Sequence, residues 1–118
     1  MSTRELISSE LKASKKRLVI PINSDLTSST VDTVGKAFRE TIAQYPMEQW
    51  KTIYFDLRNA RMIDSKGVNW LFSEVRNLQT RGRIVVFQVA SPAVHRVMEF
   101  SGLDQLVIMK FRRRRQTR

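Results

Sequence analysis

The chain contains no cysteine and only one histidine, His95, in 118 residues. Disulfide bonds, thiol catalysis and cysteine-based metal sites are therefore excluded, and one histidine alone does not form a multi-histidine metal site. There are four glycines, and none has the spacing of a phosphate-binding loop or a dinucleotide-binding turn. No apolar run approaches the length of a membrane span, and the N-terminus has no apolar signal-peptide segment. These absences predict a cytoplasmic protein without a cofactor, a metal ion or a small-molecule substrate.

Acidic residues are missing from one part of the chain, its last nine residues. The sequence has 21 basic and 11 acidic residues, and residues 110–118 hold six of the basic residues and none of the acidic ones. The remainder has 15 basic and 11 acidic residues, so the net charge falls from +10 to +4 without this segment. Terminal blocks of like charge are usually solvated. We therefore predict one domain over residues 1–109 and a basic, disordered tail over residues 110–118.

Hydrophobic periodicity predicts strands that alternate with helices. Alternating or continuous apolar residues indicate strands, and apolar residues at steps of three and four indicate helices. The strands are expected at residues 18–22, 52–58, 84–89 and 106–109, and the helices after Thr30, over 65–81 and from Ser91-Pro92. Such alternation implies a parallel or mixed sheet with crossover helices.

Two residues carry narrower structural expectations. Pro21 interrupts the apolar run at residues 18–22, and a proline within a strand predicts an edge strand or a bulge. Phe100 is expected to join Val94, Val97 and Met98 on the buried side of the last helix.

The stretch Asp64-Ser65-Lys66-Gly67 is the most informative part of the chain for function. It follows a predicted strand and opens a predicted helix, so it falls at the sheet edge where functional loops of such folds lie. A serine there has an exposed hydroxyl at a helix end that tolerates added negative charge. The sequence alone allows two interpretations of Ser65, a phosphorylation site or only a helix-terminal residue. Asp64 is expected to cap the helix; as a functional residue it would also orient the serine hydroxyl or meet a metal ion on the kinase nucleotide.

The run from Ile53 to Gly67 resembles the core signature of the STAS domain, the fold of anti-sigma-factor antagonists. In that family an apolar strand ends in Asp-Leu, and Asp-Ser-Ser/Thr-Gly opens a helix after a short loop. Asp56-Leu57 matches the first element, and Asp64-Ser65 with Gly67 matches the second. Lys66 replaces the usual small hydroxyl residue. Residues 17–26 and 94–106 are similar to the family's second strand and to its third helix with the following Gly-Leu-Asp turn.

The resemblance implies a fold and a regulatory cycle. The fold is α/β, a mixed, mostly parallel four- to five-stranded sheet with crossover helices, in the order β-β-α-β-α-β-α-β. The first dozen residues, whose pattern fits a helix or a strand, then form the first strand. The implied partners are a serine kinase that is itself an anti-sigma factor, which phosphorylates Ser65, and a phosphatase that restores the hydroxyl. The unmodified form docks on the kinase and releases its client.

The resemblance also implies a partner contact, and other functions stay open beside it. We expect contact along the loop and the exposed side of the helix, at Asp56, Asp64, Lys66, Gly67, Asn69 and Trp70. Packing at the edge of the core is the alternative interpretation of Trp70. Other roles within the fold are a subunit of a stress-sensing assembly and a subunit of a lipid transport system. From a different class, the basic tail allows a charge-driven adaptor for nucleic acid or an anionic membrane.

Overall fold

The structure is a computed structural model that describes residues 16–112 and the backbone of residues 10–12. The chain forms strands β1 (Glu10–Lys12), β2 (Arg17–Pro21), β3 (Thr52–Asp56), β4 (Ile84–Val89) and β5 (Ile108–Phe111). Its helices are α1 (Val31–Ile42), α2 (Ser65–Thr80) and α3 (Pro92–Ser101). Short 3₁₀ turns occupy Met47–Gln49 and Leu103–Gln105. The order agrees with the prediction, including a first strand within the first dozen residues. None of the described helices is long and apolar enough to cross a membrane.

The five strands form one sheet in sequential order, β1-β2-β3-β4-β5. Strand β1 runs antiparallel to β2, and β2 to β5 are parallel to one another. The register aligns Ile20, Phe55, Phe87 and Met109 across the four parallel strands. The predicted mixed, mostly parallel sheet is therefore confirmed, with five strands.

The core lies on one face of this sheet. Sequential parallel strands joined by right-handed crossovers place every connecting helix on the same side. Alternate residues of β2 to β4, such as Ile20, Phe55 and Phe87, are fully buried on that side and belong to one apolar cluster. The ring of Phe55 lies 4.9 Å from that of Phe38 on α1 and 5.2 Å from that of Phe87.

Strand β2 corrects the expectation for Pro21. The strand is internal, since it pairs with both β1 and β3, and Pro21 is its last residue. The amide of Ile22 donates to the Asp56 carbonyl oxygen on β3 at 2.9 Å. Because successive N–H groups alternate sides in a strand, the nitrogen of Pro21 faces β1, whose described pairing ends at Val19. The missing N–H therefore removes no hydrogen bond from the described ladder, and no bulge is needed within it.

Strand β5 begins and ends two residues later than predicted. It spans Ile108–Phe111, so Lys110 and Phe111 belong to the sheet and not to a tail. The physical reason is side-chain alternation: Phe111 faces the helices, where its ring lies 4.7 Å from that of His95, while Lys110 faces the other side. The predicted disorder of the rest of the tail falls on residues 113–118, outside the described part of the chain.

Candidate functional site

Two loops at the carboxyl ends of β2 and β3 are joined by backbone hydrogen bonds, and they fix where α2 begins. The Leu26 amide donates to the Met62 carbonyl oxygen, and the Asp64 amide donates to the Leu26 carbonyl oxygen, both at 3.0 Å. The Asp25 carboxylate accepts a hydrogen bond from the Arg61 amide at 2.8 Å. The start of α2 is therefore held by a second loop as well as by its own strand.

Asp64 caps α2 and binds the neighbouring loop at the same time. One carboxylate oxygen accepts from the Gly67 amide at 3.0 Å, and the other accepts from the Ser28 amide at 2.7 Å. These hydrogen bonds, that of Gly67 first, lower the pKa of Asp64 below its usual value. Capping was predicted. Within residues 16–112 no hydrogen bond joins Asp64 to the Ser65 hydroxyl, and the orienting role of Asp64 stays a prediction.

Gly67 is the point of closest approach between α2 and the loop at Leu26. A Cβ atom at position 67 would lie 2.2 Å from the Leu26 carbonyl oxygen and 2.9 Å from its carbonyl carbon. The same carbonyl oxygen accepts the hydrogen bond from Asp64, so it is fixed in place. A side chain here would push apart the two loops that position the start of the helix. This packing requirement explains a glycine in the first turn, where helix propensity alone favours almost any other residue.

Ser65 is the first residue of α2, and its side chain is exposed. Within residues 16–112 its hydroxyl has no hydrogen-bond partner, since the capping role is taken by Asp64. The partial positive charge at a helix N-terminus favours negative charge at this position. The site therefore offers a free hydroxyl at a place that electrostatically tolerates a phosphate.

Ser65 lies at the edge of a groove between α2 and α3 of about 520 Å³. The lining residues are Ser65, Val68 and Asn69 of α2 with Ala93, Arg96, Val97, Phe100 and Ser101 of α3. The lining is mainly apolar, and the Phe100 side chain is 94% exposed. An aromatic side chain this exposed beside an apolar groove is typical of a protein-binding surface.

The exposure of Phe100 corrects the prediction that it belongs to the core. Val94 and Met98 are fully buried and lie four residues apart, one above the other on α3. Phe100 follows Met98 by two residues, which turns it about 200° around the helix at 3.6 residues per turn. The prediction of a buried Phe100 rested on its apolar side chain and did not take this angle into account. That angle is the signal that identifies Phe100 as a surface residue.

Trp70 and Asn69 point to different sides of α2. The Trp70 ring packs edge-on against Phe38 of α1 at 5.4 Å, close to Gly35, where a Cβ atom would lie 2.9 Å from its Nε1. Its Nε1 donates to the Glu74 carboxylate at 3.1 Å. Trp70 therefore lies at the edge of the core, whereas Asn69 is exposed and lines the groove with Ser65. The structure brings Asn69 to the candidate site and leaves Trp70 on the side of α1.

Glu74 is a buried carboxylate that sequence analysis missed. It is 9% exposed, and it lies on the buried side of α2 with Leu71 and Val75. Burial raises the pKa of Glu74, and the Arg39 charge and the Trp70 hydrogen bond oppose that rise only in part. Glu74 joins α1 to α2, away from Ser65. The sequence signal that could have identified it is a glutamate at helical spacing among the apolar residues that face the core.

Asp56 and Lys66 complete the set of predicted contact residues. Asp56 ends β3 and forms a two-point ion pair with Arg58, with both N–O distances 2.8 Å. Partial burial alone would raise the pKa of Asp56, but the hydrogen bonds and charge of Arg58 outweigh it and lower that pKa. Lys66 is exposed beside Ser65 at the start of α2. The Asp56 carboxylate is paired with Arg58, the charge of Lys66 helps to lower the pKa of Asp64, and the partner contact of Asp56 and Lys66 stays a prediction. In residues 10–12 and 16–112 no three His, Asp or Glu side chains are grouped to hold a metal ion.

Comparisons with known proteins agree with this architecture. The family model of the STAS domain matches residues 8–117. The anti-sigma F factor antagonist of Paenibacillus polymyxa is 24% identical over 98 residues, which cover 83% of this chain and 81% of that protein. The structure of an anti-sigma factor antagonist from Mycobacterium paratuberculosis matches with a TM-score of 0.70 at 17% identity, covering 93% of this chain and 90% of that one.

A further structural match is the Bacillus cell fate determinant SpoIIAA in its phosphorylated form. Its TM-score is 0.60 at 21% identity, and the match covers 87% of this chain and 89% of that one. At such identities the structural matches establish a shared fold. Because the family model spans most of the sequence, the chain belongs to the STAS domain family.

Proposed function

We propose that the protein is an anti-sigma factor antagonist that acts by partner switching, with Ser65 as its phosphorylation site. The observation that carries this proposal is the position of Ser65, an exposed hydroxyl at the start of α2 and at the edge of an apolar groove. The relative from Paenibacillus polymyxa is an anti-sigma F factor antagonist, and the related SpoIIAA has a phosphorylated form. The protein then works in the cytoplasm as a binding module, without catalysis of its own.

The groove between α2 and α3 is the docking surface in this proposal. Its partner is a serine kinase that is also an anti-sigma factor, and a phosphatase restores the free hydroxyl. Phe100 with Val68 and Val97 offers the apolar anchor of the contact, and Asn69 lies on the same surface beside Ser65. Exposed aromatic residues that bury on binding commonly dominate the energy of an interface.

Phosphate at Ser65 would weaken this contact for an electrostatic reason. It adds a charge of about −1.5 to −2 at the edge of a surface that must lose water when the partner docks. The neighbouring Asp64 is negative, and Lys66 offsets only part of the added charge. Burying an incompletely paired charge at an interface costs on the order of 3 kcal/mol, which lowers affinity about a hundredfold. A change of this size is enough to transfer a partner between two competing proteins.

Phosphate mapping tests the assignment of the site. The full chain, isolated from its native cells or incubated with its kinase and ATP, should carry one phosphate, and fragment masses should locate it at Ser65. Ser65→Ala should abolish the modification, whereas Ser73→Ala, which changes an exposed serine on the same helix, should not. Both variants should fold, because neither residue is buried. A phosphate that maps elsewhere, or that persists in Ser65→Ala, would show that the site is wrong.

A further inference from the structure

The face of the sheet opposite the helices has a mixed apolar and basic surface. The strand residues on this side alternate with the core residues. In β2 to β5 they are Arg17, Val19, Pro21, Thr52, Tyr54, Asp56, Ile84, Val86, Gln88, Ile108 and Lys110. Ile84 is 43% exposed and Ile108 is 52% exposed. Nothing in the proposed function uses this face.

Among the described side chains of residues 16–112, no acidic group pairs with the basic residues of this face. Arg17 and Lys110 approach the ring of the central Tyr54, at 5.1 Å and 5.3 Å from its centroid, and neither has an acidic partner within residues 16–112. Partial burial would raise the pKa of Tyr54, but polar contacts and positive charge from Arg17 and Lys110 outweigh it and lower that pKa. The only acidic residue of β2 to β5 on this face is Asp56, which is paired with Arg58.

Further positive charge follows in the sequence after the last strand. Strand β5 carries Lys110, and the exposed Arg112 follows it directly. Four more arginines lie within residues 113–118, and that segment contains no acidic residue. An anionic partner of this face is therefore attracted by Arg17 and Lys110 of the sheet, and Arg112 adds positive charge at the end of β5.

The exposed isoleucines distinguish between the two classes of anionic partner. Single-stranded nucleic acid binds through aromatic rings that are free to stack on bases, and the one aromatic residue of this face already has two cations against its ring. A bilayer of anionic phospholipid needs basic side chains for its phosphates and apolar side chains for the acyl boundary. Arg17 and Lys110 supply the first, and Ile84 and Ile108 supply the second.

We propose that the face of the sheet opposite α1 to α3, centred on Arg17, Tyr54 and Lys110, is a docking surface for anionic phospholipid membranes. Binding there leaves the groove beside Ser65 on the opposite side of the sheet accessible. The protein would therefore be able to meet a protein partner while it is held at a membrane surface. The proposal is independent of Ser65 phosphorylation, because none of its residues belongs to that site.

Vesicle co-sedimentation of the full chain tests the proposal. At about 0.1 M salt the protein should bind vesicles that contain phosphatidylglycerol and not vesicles of phosphatidylcholine alone. Arg17→Gln/Lys110→Gln should weaken binding about thirtyfold, since each basic residue near an anionic membrane contributes about 1 kcal/mol. The control Lys36→Gln/Arg81→Gln removes the same charge from exposed positions on the helix side, and it should change binding by less than about threefold.

A second variant tests the apolar part of the surface. Ile108→Ser should weaken vesicle binding several-fold, and the loss should persist at high salt, where charge contributions are screened. Melting curves of every variant show whether it remains folded. Equal losses in both charge variants, or equal binding to neutral vesicles, would overturn the proposal. The proposal would also be overturned if the protein bound a single-stranded oligonucleotide, with the same dependence on Arg17 and Lys110, and did not bind anionic vesicles.

Discussion

Replacing Gly67 by alanine should destabilise the protein, although the same change in an open helix would stabilise it. The added Cβ atom would lie 2.2 Å from the Leu26 carbonyl oxygen, whereas real Cβ atoms keep at least 3.0 Å from such neighbours. The loop at Leu26 must move to relieve this contact. That movement strains the hydrogen bond from the Asp64 amide to Leu26 and the one from the Ser28 amide to the Asp64 carboxylate.

The size of the effect follows from three contributions. Overpacking against fixed backbone costs about 1–3 kcal/mol. Weakening two hydrogen bonds costs about 0.5–1.5 kcal/mol each. The higher helix propensity of alanine offsets these costs by about 1 kcal/mol. Gly67→Ala should therefore lower the free energy of unfolding by about 1–5 kcal/mol, and at about 3–5 °C per kcal/mol for a chain of this length its melting temperature should fall by roughly 3–25 °C.

Urea and thermal denaturation followed by circular dichroism measure this difference directly. The matched control is Asn69→Ala, which adds no atom at an exposed position two residues further along α2 and should be nearly neutral. If Gly67→Ala proves as stable as the wild type or more stable, the close approach of α2 to the loop is not as described. The loop at Leu26 would then not hold the start of α2 in place.

Two further predictions concern the buried side of α2. Leu71 is fully buried, so Leu71→Ala should cost about 2–5 kcal/mol in urea denaturation; a cost below 1 kcal/mol would mean that the helix faces are assigned wrongly. The pKa of Glu74 is raised in the folded protein, so its stabilising contribution is complete below the unfolded-state pKa and is lost as pH rises through the folded-state pKa. As pH rises above the ordinary glutamate pKa of about 4.3 and through the raised folded-state pKa, the wild type should therefore lose stability relative to Glu74→Gln. Parallel stability curves for the two proteins would contradict this.

Much of the fold follows from local sequence signals. Ser91 caps α3, where its hydroxyl accepts from the Val94 amide at 3.3 Å, and Gly102 ends the helix with a positive φ of 82°. Gly82 similarly follows α2 with a φ of 76°. These residues mark helix ends through their own chemistry, so the sequence identifies them without knowledge of the tertiary structure.

The predictions were wrong where contacts between residues that are distant in the sequence determine the structure. Whether Pro21 belongs to an edge depends on how far β1 extends beside it, which the residues around Pro21 do not encode. The position of β5 depends on register with β4, and its local composition of mixed apolar and basic residues does not set that register. Glu74 lies within an apolar stripe because Trp70 and Arg39 accommodate its carboxylate, and Arg39 comes from another helix.

The candidate site was predicted in part. The position of Ser65 at the start of a helix, with Asp64 as its cap, followed from the order of residues in one short segment. The groove beside Ser65 did not, because most of its lining residues come from α3, nearly thirty residues further along the chain. Only the fold brings Phe100 next to Val68 and Asn69.

The most direct test of the central claim is a calorimetric titration of the purified kinase partner with three forms of the full chain. These are the unmodified protein, the protein phosphorylated at Ser65, and Ser65→Asp. Phosphorylation should weaken binding about a hundredfold, and Ser65→Asp should weaken it less, because aspartate carries less charge and fewer acceptor oxygens. Phe100→Ala should weaken binding of the unmodified form, which confirms that the groove is the contact surface. If the phosphorylated protein binds as tightly as the unmodified one, Ser65 is not a switch, and the partner-switching account is wrong.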